Sequence, residues 1–111
     1  MKINYHNKKF KPVSASSGSE LGEDMIFHYR QEKNILSCQY SSANIIAGTL
    51  LGKVQDNGLI DMRYQQIDKA GNFMTGKCIS TPELLPSGKI RLHEKWQWTS
   101  GKKGSGETVL E

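Results

Sequence analysis

The strand-like stretch "RLHEKWQWTSG", with the residue before it, contains the side chains whose types and spacing are best suited to chemistry. Side chains at alternate positions of a β-strand share one face. One face of this stretch therefore carries Ile90, Leu92, Glu94, Trp96 and Trp98. A carboxylate in a row of large apolar side chains has to be paired or hydrogen-bonded if that face is buried.

Two interpretations of Glu94 remain open from the sequence. In the first, Trp96 and Trp98 form the apolar walls of a pocket, and Glu94 binds a hydrogen-bond donor of a ligand. Same-face neighbours lie about 7 Å apart, so the two indoles could flank a planar or sugar-like group. In the second, the indoles fill the interior of a barrel, and Glu94 is tied to a neighbouring Arg, Tyr or Gln.

The opposite face of the same stretch carries His93, Lys95 and Gln97. A His-x-Lys pair is compatible with acid–base chemistry, but a solvated outer strand face explains these side chains better. An inverted register would exchange the two faces. We therefore assign no catalytic residue, and the sequence leans away from an enzyme.

Other reactive residue types lack the spacing that their chemistry requires. The three histidines and two cysteines show no zinc-ligand pattern such as Cys-x2-Cys, and no Gly-x-Ser-x-Gly elbow supports a serine nucleophile. We predict no metal site and no cofactor. Cys38 and Cys78 are predicted to be structural thiols.

The elements that would position these residues are predominantly strands. Alternating apolar and polar residues indicate strands in the runs 25–31, 34–41 and 59–67. Residues 44–54 are more apolar, and Gly48 and Gly52 predict a bend or bulge there. The 59–67 run places Tyr64 on one face with Ile60 and Met62, in a pattern similar to that of Glu94 and the tryptophans.

Turn residues separate these runs. Asp56-Asn57-Gly58 predicts a type I′ hairpin turn, because Asn-Gly tolerates positive φ angles. The segments "DNGLIDMRY" and "PSGKIRLHE" share a turn-Gly-x-Ile-x-apolar pattern, which suggests that both use the same hairpin. Residues 14–24 are polar and are predicted to form a flexible loop.

The spacing of the runs predicts an all-β domain. We expect residues 1–111 to form a single antiparallel up-and-down meander of about 7–9 strands. It would close into a small barrel or a strongly curled half-barrel, with an architecture like that of lipocalins and avidins. An eight-stranded barrel can be filled by side chains or can hold one small ligand. Leu110-Glu111 could be vector-derived.

Composition narrows the functional classes. The chain has 111 residues and a formal net charge of +4, without the dense basic stripe of a nucleic-acid-binding protein. No apolar run is long enough for a membrane helix, and the N-terminus lacks the apolar core of a signal peptide. We therefore expect a cytoplasmic protein that binds neither nucleic acid nor membranes. Its oligomeric state is left open.

The stretches "GKVQDNGLIDMRYQQID" and "CISTPELLPSGKIRLHEKWQWTSG" resemble a small family of stand-alone bacterial proteins commonly labelled N-acetylglutamate synthase. The resemblance covers most of the chain from about Ile26 onward and implies acetyl transfer from acetyl-CoA to glutamate. Such enzymes hold the CoA pyrophosphate with a Gln/Arg-x-x-Gly-x-Gly/Ala loop that opens a helix. The closest match, "GKKGSG" at 101–106, begins with Gly, and only five residues follow it.

Three functional hypotheses follow from the sequence. The first is a small-molecule-binding module with the ligand in the barrel mouth, lined by Tyr64, Glu94, Trp96 and Trp98. The second is the acetyl transfer that the family label implies. The third is a structural or interaction protein with a filled barrel.

Overall fold

The computed structural model describes residues 3–15, 25–100 and 104–111, and this part of the chain is all-β. Its ten strands are β1 (Lys9–Phe10), β2 (Pro12–Ala15), β3 (Phe27–His28), β4 (Arg30–Glu32), β5 (Ile35–Tyr40), β6 (Ile45–Val54), β7 (Ile60–Asp68), β8 (Phe73–Leu84), β9 (Ile90–Trp98) and β10 (Ser105–Leu110). Within these residues no helix could cross a membrane.

Eight strands form one antiparallel, strongly curled sheet in the order β2-β10-β9-β8-β7-β6-β5-β4. The remaining two strands, β1 and β3, pair with each other and connect its ends, because β1 runs into the edge strand β2 and β3 runs into the edge strand β4. The predicted all-β meander, curled into a barrel or half-barrel, is confirmed.

Strands also form where the sequence patterns did not indicate them. The segments 9–15 and 105–110 supply β1, β2 and β10, and Ser14 and Ala15 belong to β2. The predicted loop at 14–24 is therefore wrong at its first two residues, and 16–24 lie outside the described residues. Leu110 is buried and pairs with Leu92, so it contributes to the fold.

The alternation predicted from sequence is observed in the burial of the side chains. In β5, Leu36, Cys38 and Tyr40 are buried while the residues between them are exposed. In β9, Leu92 and Glu94 are buried together with both tryptophans. The inward face was therefore assigned correctly, and an inverted register is excluded.

The turn at Asp56-Asn57-Gly58 differs from the predicted type I′ form. Gly58 has a φ of 88°, whereas Asn57 is not among the positive-φ residues of the described chain. The Gly58 N–H donates to the Gln55 carbonyl, and the Gln55 N–H donates to the Leu59 carbonyl. This is a type I turn followed by a glycine bulge, a conformation in which only the glycine needs a positive φ angle. Gly71 and Gly88 occupy the same position in two further hairpins, as the similarity of two of these segments suggested.

Two glycines inside strands, Gly48 and Gly76, make room for aromatic rings. A Cβ on Gly48 would collide with the ring of Tyr40, and one on Gly76 would collide with the ring of Tyr64. The register shift in β6 lies at Ile46, between Ile45 and Ala47. The predicted bulge at the glycines is therefore wrong.

The N-terminal segment covers one end of the curled sheet. The Tyr5 hydroxyl donates to the Gly58 carbonyl at 2.6 Å, and Ile3 contacts the position where a Cβ of Gly58 would stand. Tyr5, Phe10 and Tyr29 pack ring against ring in this region. The β5–β6 and β7–β8 turns lie at the opposite end.

Candidate functional site

All four residues predicted to line a site lie on the wall of one interior cavity. Tyr64 extends from β7, and Glu94, Trp96 and Trp98 extend from β9. The cavity has a volume of about 60 Å³. The whole lining consists of Phe27, Tyr29, Tyr40, Leu50, Met62, Tyr64, Gln66, Cys78, Glu94, Trp96, Trp98 and Leu110.

The two indoles contact each other and do not face one another across a gap. Their ring centroids lie 6.0 Å apart with an interplanar angle of 61°. The ring of Tyr64 meets Trp98 edge-on, with centroids 5.5 Å apart. The expectation that the indoles flank a planar group between them is therefore wrong. The three rings form one continuous aromatic wall.

Trp96 is anchored by a polar contact within this wall. Its indole Nε1–H donates to the Thr108 hydroxyl at 3.0 Å, and Thr108 is itself fully buried on β10. On the far side of the cavity, the hydroxyl of Tyr40 donates to Oε1 of Gln66 at 2.9 Å. These two hydrogen bonds fix the orientation of the side chains that form the sides of the cavity.

Glu94 is the one carboxyl group on the described cavity wall, and it is buried with 8% of its surface exposed. Burial raises its pKa to about 7, against a smaller opposing effect of the Ser80 hydroxyl across the β8–β9 ladder. Among the described residues, no Lys, Arg or His forms an ion pair with it. Of the predicted ties to a neighbouring Arg, Tyr or Gln, the ion pair with an arginine is therefore absent from this part of the chain.

Three buried polar groups in this region have no partner of good hydrogen-bond geometry in the described part of the chain: the Tyr29 hydroxyl, the Ser80 hydroxyl and the Trp98 indole N–H. Tyr29 and Trp98 line the cavity. Burial, with a further contribution from Glu94, raises the pKa of Tyr29 well above its ordinary value of 10.0, so its hydroxyl remains a proton donor near neutral pH. Unpartnered buried donors are rare in folded proteins and call for a water or a ligand atom.

The other inward groups near Glu94 also stay neutral near pH 7. Burial raises the pKa of Tyr64, with smaller contributions from Cys78 and Glu94. Burial and then Glu94 raise the pKa of Cys78. Glu94 is consequently the group of this cluster that changes its charge near neutral pH.

The outward face of β9 carries exposed and half-exposed polar side chains. His93 Nε2 lies 2.7 Å from Oε1 of Glu83, and both side chains are about half exposed. Lys95 is exposed on the same face, opposite Glu107. The interpretation as a solvated outer face is confirmed.

The described residues contain no cluster of three or more His, Cys, Asp and Glu side chains suited to a metal ion. Cys38 and Cys78 are free and buried on β5 and β8. In the "GKKGSG" segment, Ser105 and Gly106 begin strand β10, while 101–103 lie outside the described residues. The part that is described therefore does not open a helix of the kind that holds a CoA pyrophosphate.

Several residues of the site carry no signal in the sequence that places them there. Tyr29 and Tyr40 were placed on apolar faces by the alternation, which was the available signal, but nothing local indicated that they face Glu94 and Gln66. Ser80 approaches Glu94 only through the pairing of β8 with β9. Thr108 lies on a strand that the sequence patterns did not indicate.

Comparison with known proteins gives one match. A family model described as "Avidin-like protein" matches residues 3–111. No curated protein and no solved structure matches the chain. The match contradicts the resemblance to the proteins labelled N-acetylglutamate synthase, which was therefore wrong, and nothing in the comparisons supports acetyl transfer.

Proposed function

The chain belongs to the avidin-like protein family, and we propose that it is a small-molecule-binding module whose ligand occupies the interior cavity. One observation carries the proposal: among the described residues, a buried carboxyl group without a cation partner and two unpartnered donors line the same cavity. A filled barrel that served only as a plug would be expected to satisfy these groups internally. A polar ligand would supply the missing partners.

The shape of the cavity supports a specific division of roles. Tyr64, Trp96 and Trp98 form an apolar wall that excludes water and contacts the flat or aliphatic part of a ligand. Glu94 and the Tyr29 hydroxyl orient its polar group. Such a combination of apolar walls with a few converging polar groups is typical of small-molecule sites.

A ligand screen observed by NMR tests the proposal. A library of metabolites, with biotin included because of the family match, is added to ¹⁵N-labelled protein while the indole N–H resonances of Trp96 and Trp98 are recorded. We expect at least one compound to shift the Trp98 resonance, because this indole N–H has no partner in the described chain. Ligand binding should also raise the melting temperature.

A matched pair of variants tests whether the cavity is the binding site. Trp98→Phe removes the free N–H and keeps an aromatic ring, so it should weaken the binding of a screened ligand. Phe73→Ala alters a side chain that is 71% exposed on the outer face and should leave binding unchanged. If no compound shifts either indole resonance, the pocket proposal fails and a filled barrel is favoured.

A further inference from the structure

The charge of the cavity identifies a class of ligand. The lining formed by the described residues contains one carboxyl group, Glu94, and no Lys, Arg or His. A carboxylate in an apolar interior is costly unless a cation accompanies it. In the described part of the chain the protein itself does not supply that cation.

The walls around Glu94 favour a cation of a particular kind. Six aromatic side chains line the cavity: Phe27, Tyr29, Tyr40, Tyr64, Trp96 and Trp98. Aromatic rings attract organic cations through their quadrupole, and several rings around one site recognise quaternary ammonium groups. A small inorganic cation would need several oxygen ligands in place of its water shell, which this mostly apolar lining does not provide.

The size of the cavity agrees with an ammonium headgroup. A volume of about 60 Å³ exceeds the roughly 10–15 Å³ that a cavity needs to admit a single water, so the cavity can admit a small headgroup. The unpartnered donors of Tyr29 and Trp98 would be satisfied by an oxygen atom on the same ligand.

We propose that the interior cavity binds organic cations that carry an oxygen acceptor, with the ammonium group paired to Glu94 inside the aromatic wall. This inference rests on the proposed function and specifies the class of ligand. It differs from that function in requiring a charge on the ligand.

Calorimetric titration with choline tests the inference. The comparison ligand is its neutral carbon isostere, in which a tert-butyl group replaces the trimethylammonium group. At pH 8, where Glu94 is mostly ionised, we expect choline to bind on the order of tenfold tighter than the isostere. Glu94→Gln should abolish this preference. Glu32→Gln, which removes an exposed carboxylate on β4, should retain it.

The pH dependence provides a second readout. Choline keeps its charge at all pH values, and the inward titratable groups facing Glu94 are Tyr29, Tyr64 and Cys78, each with a raised pKa. Choline affinity should therefore fall as the pH is lowered below about 7 and Glu94 takes up a proton, and it should level off after a total loss of about tenfold. In Glu94→Gln it should stay flat.

The outcomes separate the two proposals. Equal affinity for choline and its isostere, or a preference that survives Glu94→Gln, overturns the cation inference and leaves a small-molecule pocket in place. Absence of choline binding at millimolar concentration also overturns it, and the ligand screen then decides whether the pocket proposal stands. If no compound in that screen binds either, both proposals fail.

Discussion

Replacement of Glu94 by glutamine should make the protein more stable at alkaline pH. The folded protein holds this carboxyl group in an apolar interior, where burial raises its pKa from the ordinary 4.5 to about 7. Glutamine keeps nearly the same shape and has no charge to desolvate. The comparison with wild type therefore isolates the free energy of burying the carboxylate.

The size and sign of the effect follow from the two pKa values. Between pH 4.5 and about 7 the folded protein binds a proton that the unfolded chain has released. The free energy of unfolding of the wild type therefore falls as pH rises through this window. The stabilising contribution of the protonated Glu94 is present in full below the pKa of the unfolded chain and is lost above the pKa of the folded protein. At about 1.4 kcal/mol for each pH unit, the loss amounts to roughly 3 kcal/mol.

Urea unfolding followed by tryptophan fluorescence measures this difference. Wild type and Glu94→Gln are unfolded at a pH near the lower pKa value and again at about pH 8. We expect the variant to gain about 3 kcal/mol relative to wild type between the two conditions. Glu32→Gln, with its exposed side chain, should follow the wild type at both pH values.

Two results would refute this reasoning. The first is a Glu94→Gln variant whose stability parallels that of the wild type across the pH range, which would mean that burial does not perturb the carboxyl group. The second is a variant destabilised by about 3 kcal/mol at pH 8, the cost of breaking a buried ion pair. In that case Glu94 would have a cation partner after all.

Two further predictions concern packing and thiol reactivity. Gly76→Ala should destabilise the protein by roughly 1–3 kcal/mol in urea unfolding, because the new Cβ would strike the ring of Tyr64. Gly104→Ala, whose Cβ would stand 3.9 Å from its nearest neighbour, should stay within about 0.5 kcal/mol of wild type. Equal losses of stability in the two variants would contradict the packing argument. Burial raises the pKa of Cys38 to about 11 and raises that of Cys78 as well. A chromogenic disulfide reagent at pH 8 should therefore react with the native thiols roughly 100-fold more slowly than with the thiols of the urea-unfolded chain. Similar reaction rates would disprove the burial of the thiols.

Alternation along single strands is the feature that the sequence predicted well. Met25, Phe27 and Tyr29 share a buried face, as do Leu36 and Cys38. This information is local, because successive side chains of a strand point to opposite sides whatever the strand pairs with. The position of each hairpin glycine is local in the same way, although the turn type at Asn57 was predicted incorrectly.

The interior site was predictable only in part, because the sequence pattern contains information about single strands and not about contacts between them. Glu94, Trp96 and Trp98 share a strand, so their common face follows from spacing alone. Tyr64 was added by similarity of pattern, and it does contact Trp98. That the two indoles contact each other edge to face depends on side-chain rotation, which spacing does not specify.

The sequence by itself determined which side chains face inward, where the hairpins turn, and that an unusual carboxyl group stands among apolar residues. Only the tertiary structure decided what that carboxyl group meets. Ser80 and Thr108 approach Glu94 from the neighbouring strands, through the registers of β8 and β10 with β9. Tyr29 comes from a segment far away in the chain, through the curl that carries it across the interior. Inter-strand register and closure depend on the combined pairing of the whole sheet, and no single strand encodes them. Whether Glu94 is paired or unpaired is therefore a property of the assembled sheet.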